Sequence, residues 1–177
     1  MLEAARDHID LPHLELTGGD KPAIAYVDPL GAAKPRQIKL DLAAGEHVES
    51  VEERTQLDIW PDLPDPVPFA VYPIEEIGAE KLRCIIQRVQ CRDLYDLFRL
   101  TEEAALSFAE VRPLFERKAR AKGLDPGTFA HRFEDRIKRF DQRWSAEMSE
   151  HLADPPGLDD VVRVMRRHLR QAGLLEA

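Results

Sequence analysis

The sequence predicts an α+β protein, with a small sheet at the front and a helical bundle behind it. Two observations carry this. Over the first 73 residues, short β-branched or alternating runs are separated by prolines. From Pro73 onward the apolar residues recur at threes and fours instead. A chain of 177 residues that is 44% hydrophobic and 33% charged can bury one sizeable core, or one core and a small helical lobe. The expected division is residues 1–100 and residues 101–177.

Taken in order, Gly18-Gly19 reads as a turn between two strands. Residues 24–27 form a short β-branched and aromatic run that ends at Asp28-Pro29. Residues 37–42 alternate, with Ile38, Leu40 and Leu42 on one side and Lys39 and Asp41 on the other, as in a half-buried strand. Residues 69–72 are a third strand candidate. Pro61, Pro64, Pro66 and Pro68 before it mark an extended loop. Ile74, Ile77, Leu82, Ile85, Ile86 and Val89 then make the apolar stripe of a helix, with Glu76, Glu80, Arg83 and Gln87 mostly off it. A short helix over residues 92–100 buries Leu94, Leu97 and Phe98. Ser107 with Glu110 three positions later predicts a capping box, and Gly123 ends that helix. Asp125-Pro126 starts the next as N-cap and first position, and Phe129, Phe133, Ile137, Phe140 and Trp144 face inward. Asp154-Pro-Pro-Gly157 breaks the chain before a last helix built on Val161, Val164, Met165 and Leu169.

No stretch approaches the roughly 18 consecutive apolar residues of a membrane span, and the first ten residues lack a signal-peptide pattern. A soluble, cytoplasmic protein is expected. Cys84 and Cys91 stand seven residues apart on what reads as one helix, too far apart for a disulfide, and no Cys/His cluster suggests zinc. The net charge is −8 but unevenly placed: residues 112–143 hold ten bases and five acids. Such a patch suits contact with RNA phosphates, although on charge alone a solvated helix face is the simpler account.

Three places hold charges that packing does not require. Lys39 and Asp41 share a strand face; Lys81 and Arg88 stand seven apart and nearly on one helix face; and Asp93 and Asp96 lie three apart, with Arg92 able to pair Asp96 at i,i+4. Taken singly, each is what an exposed strand or helix carries anyway.

Together they resemble a family. The run Tyr72-Pro-Ile-Glu-Glu-Ile-Gly-Ala-Glu-Lys-Leu-Arg, then Gln87-Arg88, then Arg92-Asp93-Leu94-Tyr95-Asp96-Leu97, is similar to the signature of the AbiEii/AbiGii nucleotidyltransferase toxins of type IV toxin–antitoxin systems. A strand with a Lys-hydrophobic-acid pattern precedes it, as at Lys39 to Asp41, and an aromatic helical segment follows. The resemblance implies a partial nucleotidyltransferase core with a mixed sheet, joined to a C-terminal helical lobe. It implies transfer of a nucleotide from an NTP to an acceptor, RNA by expectation, with Mg2+ as cofactor, in toxin–antitoxin or phage-defence systems. By position, Asp41 is the metal-side carboxylate, Lys81 holds the triphosphate and Asp93 orients Lys81 or the nucleotide. Lys39 and Arg88 add nucleotide contacts, while Arg92 and Asp96 lock their helix. The implied partners are an NTP, tRNA or another RNA, and a cognate antitoxin.

The chain departs from that pattern in one respect. The family's Gly-Ser or Gly-Gly-Thr loop and its Asp-x-Asp pair do not occur. Gly18-Gly19-Asp20 is the only glycine pair, and Asp7 and Asp10 stand three apart, wrong for one face of a strand. The expectation is that this motif lies upstream of Met1 and that the chain is truncated. Three readings follow: a nucleotidyltransferase, an inactive remnant that binds nucleic acid or an antitoxin, or an unrelated domain whose charges are all surface.

Overall fold

The computed structural model describes residues 14–17, 23–26, 36–39, 47–55 and 68–176. The chain divides into two compact units, Met1–Gly45 and Glu46–Ala177. The first contains a three-stranded antiparallel sheet of β1 (Leu14–Thr17), β2 (Ala23–Tyr26) and β3 (Arg36–Lys39), in that spatial order. Ala23 faces Thr17 across one ladder and Lys39 across the other. β1 and β2 pair antiparallel, and the turn expected at Gly18-Gly19 lies outside the described residues. β3 differs from its expectation in burial, because all four of its residues are exposed, Ile38 among them at 52%.

The second unit opens with a two-stranded antiparallel sheet of β4 (Glu52–Thr55) and β5 (Pro68–Val71), Arg54 opposite Phe69. Five helices follow: α1 (Ile74–Gln87), α2 (Cys91–Glu102), α3 (Phe108–Ala121), α4 (Phe129–Ser149) and α5 (Leu158–Gln171). The α+β class is therefore what the structure has, and every described strand pairing is antiparallel.

One apolar core joins all five helices. Leu82 and Ile85 of α1, Leu94 and Leu97 of α2, Phe115 of α3, Phe133 and Phe140 of α4, and Met165 and Leu169 of α5 are almost completely buried in it. Burial of side chains this large, each worth about 1.5–3 kcal/mol, is what holds the bundle. α1 packs against α2, α3 and α4. Gly78 on α1 lies so close to Leu106 that an added Cβ would collide with it. This glycine serves close packing.

Local signals behave unevenly. Gly123 takes φ +69° at the end of α3, a conformation glycine adopts without a Cβ penalty. Asp125 caps the next segment, accepting from the Gly127 N–H at 2.9 Å, but the first turn is a short 3₁₀ helix, Pro126–Thr128, that runs into α4. Ser107 precedes α3 as expected yet makes no side-chain capping bond. Cys84 and Cys91, read as one helix, lie on two, because the chain leaves helical geometry at Arg88. Both are buried free thiols.

Candidate functional site

The break between α1 and α2 assembles the site. Arg88 and Gln90 are both extended there, which turns the start of α2 back toward α1. Three side chains of α4 secure the connection. Arg136, buried, donates to the carbonyls of Ile85 and, at 2.9 Å, Ile86; these belong to the last turn of α1 and lack partners within the helix. Arg143 donates to the Val89 carbonyl at 3.0 Å, and the Cys91 N–H donates to Glu147 Oε2 at 3.0 Å. A carboxylate at that position also suits the positive end of α2.

The turn places Asp93 between two cations. Its side chain is only 1% exposed. Lys81 Nζ reaches Oδ1 at 3.0 Å, while Arg88 donates from Nε to Oδ2 at 2.7 Å and from Nη2 to Oδ1 at 3.0 Å. Two-point contact from a planar guanidinium fixes the carboxylate in orientation as well as in place. Burial pushes the Asp93 carboxyl up, but the hydrogen bonds from Arg88 and Lys81 outweigh it and hold it below its ordinary value. Lys81 also reaches Asp96 Oδ2 at 2.5 Å. Burial pulls the Lys81 ammonium down, yet Asp96 and Asp93 together raise it, so it is a firmly charged lysine.

Lys81 also lines a hollow of about 140 Å³, together with Val48, Tyr72, Ile77, Glu80 and Lys118. One wall of it is fixed by a buried ion pair, Lys118 Nζ to Glu76 Oε2 at 2.5 Å. Glu76 Oε1 accepts from the backbone N–H groups of Glu49 at 2.6 Å and Ser50 at 3.1 Å, and Lys118 donates to the His47 carbonyl. Together these tie residues 47–50 to α1 and α3.

Of the expected site residues, Lys81, Arg88, Asp93 and Asp96 form one cluster. Asp96 was expected to pair with Arg92, but the structure gives it to Lys81 and leaves Arg92 exposed. Lys81 comes from the preceding helix, which the break between α1 and α2 sets beside Asp96. Lys39 is exposed at the end of β3 in the other unit, and Asp41 lies outside the described residues. Among the described residues no three of His, Cys, Asp and Glu come together as a metal ligand set. Asp93 in particular is already committed to two cations, so it is not free to face a metal, and Asp41, expected in that part, lies outside the described residues.

Missed from the sequence were Glu76, Lys118, Arg136, Arg143 and Glu147. Arg136 carried a usable signal: it lies three residues after Phe133 and four before Phe140, on the inward face, where an unpaired charge is too costly to be incidental. The basic run over residues 112–143 also changes meaning. Six of its ten bases are tied within the protein: Arg112 and Arg120 to Glu116, Arg117 to Glu49, Lys118 to Glu76, Arg136 to carbonyls and Arg143 to Glu147.

The family model described as nucleotidyl transferase AbiEii toxin, Type IV TA system, matches residues 5–166. No curated protein and no solved structure matches the chain.

Proposed function

Because the chain belongs to the AbiEii family of nucleotidyl transferase toxins of type IV toxin–antitoxin systems, we propose that Lys81 holds the phosphates of an NTP whose nucleotide is transferred to an RNA acceptor. The observation that carries this is one charged lysine, oriented by a buried aspartate, at the wall of a hollow. Phosphoryl transfer asks a protein mainly for placed positive charge, since the barrier lies in bringing anionic groups together and in line. Lys81 supplies a point charge and a donor to a phosphate oxygen. Asp93 keeps that ammonium charged and aimed, and Arg88 keeps Asp93 in place. In this proposal Arg88 acts through Asp93, whereas the family resemblance implied a direct nucleotide contact.

Residues 1–100 carry the chemistry in this proposal, and residues 101–177 support it. α4 supports it directly, through Arg136, Arg143 and Glu147 on the site's turn. Lys39 and Asp41 belong to the other unit, and the parts implied for them, a nucleotide contact and the magnesium-side carboxylate, rest on the family resemblance alone. When bound, the ion would neutralise triphosphate charge. Of the basic run, Lys122, Arg132, Lys138 and Arg139 are the residues proposed for RNA. The antitoxin is the partner that the family implies. No helix among the described residues is long and apolar enough to cross a membrane; a cytoplasmic setting and a role in phage defence are part of the proposal.

The test is transfer of label from each of four α-labelled NTPs to total tRNA, with the wild-type chain and with Lys81→Ala. Label on RNA that disappears in Lys81→Ala, with the helical circular dichroism unchanged, is the expected result. Transfer that survives Lys81→Ala would remove Lys81 from the site. No transfer with any NTP would favour the binding-module reading.

A further inference from the structure

The two carboxylates on Lys81 are held in different ways. Asp93 is 1% exposed and both its oxygens are engaged, one by Arg88 alone and one by Arg88 and Lys81 together. Asp96 is 41% exposed, and among the described residues Lys81 is its one partner. They stand three residues apart on α2 and so reach the ammonium from neighbouring positions.

The charges of Lys81, Arg88, Asp93 and Asp96 sum to zero. A phosphate arriving at Lys81 would therefore meet a compensated lysine with a carboxylate beside it, and like charges this close repel. An ammonium has three donors, and the two aspartates take two of them. Releasing Asp93 would leave a buried carboxylate short of a donor, which is costly. Releasing Asp96 returns an exposed carboxylate to water at little cost.

We propose that Asp96 is the exchangeable counter-ion of Lys81: it holds the lysine until a nucleotide's phosphate displaces it, while Asp93, pinned by Arg88, stays in place. This rests on the phosphate reading of Lys81 and deepens it. Asp96 is a positioning residue whose departure accompanies binding, so it sets how tightly polyphosphate is held. Removing its charge leaves Lys81 anchored on Asp93 with one more donor free, and polyphosphate binds more tightly.

The experiment titrates inorganic tripolyphosphate calorimetrically into the full chain as wild type, Asp96→Asn, Lys81→Met and the double variant. Asp96→Ser serves as a second variant should the asparagine form fold poorly. Expected are about fivefold tighter binding by Asp96→Asn and a loss of binding in Lys81→Met. The double variant should bind no tighter than Lys81→Met, which locates the gain at the lysine. A role of Asp96 in helix stability alone would lower the melting temperature without tightening binding. Folded Asp96 variants that bind no tighter than wild type, or a gain that persists without Lys81, would overturn the exchange while leaving the phosphate site standing. Equal or absent binding in wild type and Lys81→Met would overturn the phosphate reading itself.

Discussion

Lys118→Met is the perturbation whose cost follows most directly from the structure. The substitution keeps the length of the side chain and removes its charge. Lys118 and Glu76 have side-chain exposures of 7% and 2%, so water screens neither. Removing one partner of such a pair costs about 3–5 kcal/mol, because the other charge remains buried and uncompensated. Here Glu76 keeps the two backbone N–H donors of Glu49 and Ser50 on Oε1, which offsets part of the loss, while Oε2 keeps none. The expected cost is therefore at the lower end, about 3 kcal/mol. With a urea m-value of about 2 kcal/mol/M, the midpoint should fall by about 1.5 M, read from the helical circular dichroism of the second unit. Adding Glu76→Gln removes the orphaned charge while retaining an acceptor for both N–H groups, and should recover more than half of the loss. A midpoint shift below about 0.5 M, or a double variant as unstable as the single, would refute the argument that burial makes this pair costly to break.

The pairing of Asp93 should be visible as pH dependence. Its folded pKa lies below the unfolded value of about 3.9, so its contribution is complete above about pH 4 and is lost as the pH falls through the folded value. The stability gap between wild type and Asp93→Asn should shrink from pH 5 to pH 2 in urea titrations; a constant gap would show that Asp93 does not titrate as a paired group. The thiols give a second check. Burial, with Glu147 next in effect, pushes Cys91 up to about 12, and burial also raises Cys84, so neither should react with a disulfide reagent in the native protein at pH 8 and both should react in urea. Rapid native labelling of either would contradict the packing around α1 and α2.

Parts of the architecture were legible because they rest on local periodicity. Phe129, Phe133, Phe140 and Trp144 face inward as their spacing requires, and Gly123 ends α3 where only glycine takes the backbone conformation easily. β4 was not legible. Glu-Glu-Arg-Thr has neither alternation nor apolar content, and what makes Glu52–Thr55 a strand is its pairing with β5. On α1 the helical period was right, but the faces were not simply apolar in and polar out. Glu76 and Arg83 are buried while Ile77 is 38% exposed. Glu76 can be buried because Lys118 and two backbone N–H groups meet it, and none of these is its neighbour in sequence.

The sequence by itself determined the α+β class, the helical bundle and the identity of the charged residues near the end of α1, since these follow from periods of two and 3.6 and from short motifs. Only the tertiary structure decided which charges are partners. Lys81 and Arg88 meet on Asp93 because the chain breaks between α1 and α2 and α4 braces that break. Lys118 leaves the basic run to neutralise Glu76. Ion pairing depends on distance and on loss of water, and both are properties of the packed chain.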